Sequence, residues 1–140
     1  MVRDLDTFIA GLEALTITGV TMLDTEPTTA PDASELPIAW VDLPMLIGGP
    51  PKTLENSAIR PERYKAAIFV ALAPVVIEDR IAYTDALRTY AKAVQNALDA
   101  ATFMRLEYQI ALNKKIGAAA SGSLFYGIVA VVTGGDLTGG

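Results

Sequence analysis

Apolar positions fall at two different periods along this chain, and the switches between them mark its elements. Leu5, Phe8, Ile9, Leu12 and Leu15 recur at three-and-four spacing, which predicts a helix over 4–15 with one apolar stripe. Asp4 and Asp6 stand at its start, where carboxylates cap free backbone N–H groups and meet the positive end of the helix dipole. A β-branched run around Gly19 predicts a short strand over 17–23. Pro27, Pro31 and Pro37, mixed with Thr, Asp and Ser, make 24–37 a solvated connector. Ile38 to Leu43 then reads as a strand closed by Pro44. An irregular stretch follows over 45–61, with Gly48-Gly49-Pro50-Pro51 near its head.

Tyr64 to Ala73 is apolar on both faces: Tyr64, Ala66, Ile68, Val70 and Leu72 on one, Ala67, Phe69 and Ala71 on the other. Such a strand is central and doubly covered, or covered by another subunit. The helical period returns after Pro74. Glu78 or Ile81 opens a long helix to Ala101, with Leu87, Tyr90, Val94 and Leu98 as its stripe and Ala86, Ala91 and Ala97 widening it. Met104, Leu106, Tyr108, Ile110 and Leu112 alternate with Arg105, Glu107, Gln109 and Asn113, a strand with one buried and one wet face. Residues 114–123 read as a Gly/Ala/Ser turn region, and 124–132 as the last strand. The Gly-Gly-Asp-Leu-Thr-Gly-Gly end reads as a flexible tail. The expected fold is α+β, with a mainly antiparallel sheet of about five strands covered by two helices and long loops between them. The expected organisation is one domain over 1–134 with a tail over 135–140.

Composition sharpens this picture. Of the 140 residues, 51% are hydrophobic and 19% charged. An ordinary soluble domain has about a quarter of its residues charged, so the apolar surplus points to surface shared with a partner. The chain has no cysteine and no histidine. Thiolate zinc sites, disulfides, Cys nucleophiles, imidazole bases and Ser-His-Asp triads are therefore excluded. Asp and Glu total 16, which leaves only a carboxylate site for a hard cation. The net charge of −5, with Lys114-Lys115 as the longest basic run, argues against a nucleic-acid surface. The uncharged stretch 116–135 is broken by glycine, serine and threonine and alternates in its second half, so it reads as strand rather than a membrane span.

Three groups carry candidate chemistry. Gly48-Gly49-Pro50-Pro51-Lys52-Thr53 resembles a phosphate loop only in its Lys-Thr; Pro51 stands where the loop needs glycine and no helix follows. An exposed turn is the plainer reading. Glu78, Asp79 and Asp85 cap a helix start more simply than they pair for acid–base work, and Arg80, Arg88 and Lys92 form a solvated face with them. Trp40 is open between a ligand platform, core packing and an interface anchor, and Tyr126 beside Gly127 stays similarly open. No catalytic constellation emerges, so the expectation is a non-enzyme with no cofactor and no metal.

The layout carries a resemblance. An amphipathic first helix leads to Glu26-Pro27, to Leu36-Pro37-Ile38-Ala39-Trp40-Val41-Asp42 and a Gly/Pro-rich loop. Ala73-Pro74, a long helix, an alternating strand and Tyr126-Gly127 before a final apolar run complete it. Together these resemble the tail terminator (tail-completion, head–tail neck) proteins of long-tailed bacteriophages. The resemblance implies a homo-hexameric ring in the virion neck, assembled in the host cytoplasm. The ring would cap the tail tube and meet the tail tube protein and the head connector or adaptor proteins. DNA would pass through it without tight binding, and no membrane would be involved. Trp40, Gly48, Gly49, Pro50, Pro51, Lys52 and Tyr126 are the candidate interface residues, and at least one of the long loops 24–37 and 45–61 is expected to touch a neighbour. Two alternatives stay open: another phage neck or minor tail component, and a small ligand-binding or regulatory α+β domain with Trp40 in its pocket.

Overall fold

The computed structural model describes residues 5–24, 26–29, 35–42, 46–48, 63–74, 84–118 and 122–135. Two helices, α1 (Leu5–Glu13) and α2 (Thr84–Ala100), lie on one face of a six-stranded sheet. The strands are β1 (Thr21–Met22), β2 (Ile38–Val41), β3 (Leu46–Gly48), β4 (Arg63–Pro74), β5 (Arg105–Ala118) and β6 (Ser123–Gly135). Their order is β1-β2-β4-β6-β5, and β3 also pairs with β4. β2 takes the 68–71 stretch of β4 and β3 takes its 63–65 stretch, so the two short strands share one side of one long strand. Only the β1–β2 pair is parallel. The α+β fold expected from the sequence is present.

The apolar stripes dictate which face carries the helices. Phe8 and Leu12 of α1 and Leu87, Val94 and Leu98 of α2 are buried against Tyr64, Ala66, Ile68 and Val70 of β4 and Ile128, Ala130 and Val132 of β6. Each large side chain in this layer contributes about 1.5–3 kcal/mol. The phase of α2 is the one its spacing predicts, with Arg88 and Lys92 exposed. Gly19 takes φ +79 just before β1, a backbone shape that disfavours a side chain, and an added Cβ would lie 3.2 Å from the Tyr90 ring.

The opposite face of the sheet holds a second, smaller cluster. Ile38, Trp40, Ala71, Ile116 and Phe125 are buried there, with Leu23, Leu36, Phe69 and Val129 packed against them. This accounts for part of the doubly apolar β4: it is central, between β2 and β6, with Ile68 and Val70 buried under the helices and Ala71 buried on the other face, where Phe69 is only half-buried. β4 and β6 come close enough that a Cβ on Gly127 would lie 1.9 Å from the carbonyl oxygen of Val70. Glycine is required at that crossing.

Five expectations are corrected. The first strand spans only Thr21–Met22, since the chain over 18–19 turns instead. The stretch after Pro44 is not wholly irregular, because Leu46–Gly48 adds to the β4 edge. β5 does not end near Asn113. An extra residue between Ala111 and Lys114 makes a bulge, and the strand continues to Ala118 where a turn region was expected. Leu112, placed by alternation on the buried face, is 44% exposed, since β5 is an edge strand that α2 covers only in part. Gly134 and Gly135, assigned to the tail, pair within β6. Glu78, Asp79, Arg80 and the 136–140 end lie outside the described residues.

Candidate assembly surface

Beyond the Trp40 cluster, no described residue covers the helix-free face of the sheet. Strand register assembles it in cross-strand rows: Lys65, Thr133 and Glu107, then Ala67, Val131 and Gln109, then Phe69, Val129 and Ala111. The rows grade from charged, through mixed, to apolar, and pass into the buried cluster at Ala71. The side chains are partly or fully exposed at eight of these nine positions; Ala67 alone is buried. Lys65, Glu107, Gln109, Val131 and Thr133 line a depression of about 290 Å³ in this face. A patch with a mixed, half-apolar floor and a polar rim has the composition of a protein contact surface.

A second hollow lies on the helix side, between α2 and the outer edge of β5. Its floor is Ala91, Ile110 and Leu112, and Arg88, Lys92 and Gln95 stand around it, enclosing about 300 Å³. Next to it, Tyr108 donates a 2.6 Å hydrogen bond to Asp99 and ties the start of β5 to the end of α2. The bond to a carboxylate holds the Tyr108 phenol above its ordinary pKa.

The connector makes a third hollow of about 350 Å³, with Asp24, Glu26 and Glu35 among its lining residues. Its carboxylates do not converge: among the described residues no group of three or more acids is arranged to hold a metal ion. Apart from Trp40, Tyr64 and Tyr126, whose rings carry N–H or O–H groups, no buried side chain among the described residues is polar or charged.

The candidate interface residues are scattered. Trp40, on β2, is 2% exposed and packs on Phe69 with ring centroids 5.8 Å apart, so within one chain it is core. Tyr126, on β6, is buried as well. Gly48 ends β3, and Gly49, Pro50, Pro51 and Lys52 lie outside the described residues. Sequence reasoning missed Lys65, Thr133 and Val131 as surface, because only the three-strand register sets them beside Glu107 and Gln109. The wet alternation of Arg105, Glu107 and Gln109 was the visible part of that signal.

Among the described residues, no helix is long and apolar enough to cross a membrane. No protein-family model matches this chain, and no curated protein sequence matches it.

Proposed function

We propose that this chain is a structural virion protein of the tail-terminator kind, a subunit of a homo-hexameric ring in the neck of a long-tailed phage. The ring caps the tail tube, contacts the tube protein and the head connector or adaptor proteins, and lets DNA pass without holding it. One observation carries the reading: a graded, half-apolar sheet face that no described residue covers, beside a closed core. The apolar surplus of the sequence, its layout and its lack of histidine and cysteine support it. The ligand-binding alternative loses its main carrier, because Trp40 is closed into the core and offers no platform.

Native mass measurement combined with electron microscopy tests the proposal. Rings of six subunits, and unjoined or overlong tails when the gene is removed from a phage that carries it, are the expected results. A chain that stays monomeric beside purified tail tubes would sink it. Val131→Glu, on the open face, is expected to block ring or tube contact while leaving the melting temperature of the subunit nearly unchanged, because Val131 is only partly buried.

A further inference from the structure

β5 ends the strand order, and β6 pairs only with its inner side. Its outer edge is therefore a row of backbone N–H and C=O groups with no strand beside it among the described residues. The pairing with β6 is regular over 105–111, and the bulge before Lys114 then turns the strand. Leu112 follows the regular stretch, within the bulge, and is the one exposed large hydrophobic residue among those described. It sits in the groove beneath α2 with Ile110 and Ala91, beside Arg88 and Lys92. A free edge with an apolar shelf above it fits an added strand.

We infer that the occupant is a second copy of this chain, its β5 running antiparallel to the first across a two-fold axis at Gln109. Three features select a copy over a foreign strand. First, α2 lies across β5 and β6, and strands are about 4.8 Å apart. The two-fold then sets a second α2 on the same face of the joined sheet, on the far side of the groove. A foreign strand would fill the edge and leave the groove above it half open. Second, the register centred on Gln109 sets Leu112 opposite Leu106 of the second copy and Tyr108 opposite Ile110. Glu107 falls opposite Ala111, so no like charges face each other in the regular stretch. Third, α2 runs antiparallel to β5: Asp99 bonds Tyr108 near the start of the strand, while Lys92 lies beside Leu112 further along. The two-fold therefore brings Lys92 of each helix alongside Asp99 of the other, twice over.

This pairing is independent of the ring reading, because a ring closes through head-to-tail contacts whereas this contact is isologous. Sedimentation or native mass of the full chain at micromolar concentration tests it. The wild-type chain is expected as dimers or, where six-fold rings form, as two rings paired face to face. Leu112→Asp, Lys92→Asp and Asp99→Lys should each weaken the pair by at least about tenfold. All three positions are exposed, so circular dichroism of the subunit should be kept in each; melting should be kept in Leu112→Asp and Lys92→Asp and fall slightly in Asp99→Lys, which also loses the Tyr108 bond. Mixing the Lys92→Asp and Asp99→Lys chains should restore pairing, since both cross-contacts then join opposite charges; a loss of structure would not be rescued this way. A monomeric wild type, unchanged assembly in the variants, or a mixture that stays apart would overturn the inference. Wild-type rings that never pair with a second ring sink the edge pairing and leave the ring reading standing, and dimers that form no ring do the reverse.

Discussion

Two glycines around β6 separate two kinds of constraint. At Gly127 the backbone is ordinary and the space is missing: an added Cβ meets the Val70 carbonyl at 1.9 Å and Ile116 at 2.8 Å. At Gly122 the space is open and the backbone is special, with φ +71. Gly122→Ala should cost about 1–2 kcal/mol, the penalty of a left-handed residue. Gly127→Ala should cost more, because the clash is with main chain that cannot rotate away and overpacking alone costs about 1–3 kcal/mol. Urea midpoints that rank them the other way would contradict the close β4–β6 crossing. Leu87 and Arg88 give a similar contrast on α2. Leu87→Ala should lose about 2–5 kcal/mol as a core residue, and Arg88→Ala should stay within about 0.5 kcal/mol. The Tyr108–Asp99 bond is read by NMR titration of the tyrosine ring. Tyr108 should lose its proton above the ordinary phenol range, and Asp99→Asn should bring that value down by removing the carboxylate that favours the protonated form.

At the scale of elements, the regular periods were legible and their interruptions were not. The stripes of α1 and α2 and the alternation of β4 and β6 settle which faces are buried, because helix and strand periods follow from backbone geometry. The bulge in β5 carries no such signature. Lys114-Lys115 and the small residues after them end the visible alternation, and a turn is the natural reading. The extra residue instead flips the phase, so that even-numbered Ile116 joins the face held by odd-numbered residues before it. Ile116→Ala is therefore expected to cost about 2–5 kcal/mol, where a turn residue would cost within about 0.5 kcal/mol. A neutral result in a urea melt would restore the turn. The open face was unreadable for another reason. Lys65, Glu107 and Thr133 belong to three strands far apart in the chain, and only their pairing makes them neighbours. Trp40 is the opposite case: its sequence context leaves core and interface open, and its packing on Phe69 makes it core.

For the whole molecule, the charge balance makes a prediction that no local feature makes. A net charge of −5 without a basic run gives little counterion release, so duplex DNA should not be retained at about 150 mM salt. Micromolar retention in a filter assay would count against a ring that DNA slides through. The strand order has a further consequence, in time rather than in space. β6 lies between β4 and β5 yet follows both along the chain, so the two longest pairings of the sheet wait for the same late segment. Until β6 has left the ribosome, β4 has one long side bare and β5 has no partner strand within the sheet. The nascent chain is then a collapsed set of helices and unpaired apolar strands, a state prone to aggregation, and closure of such non-local pairs is slow. Poor solubility on rapid expression, relieved by lower temperature or by a chaperone that holds unfolded chains, is the behaviour this order of synthesis imposes.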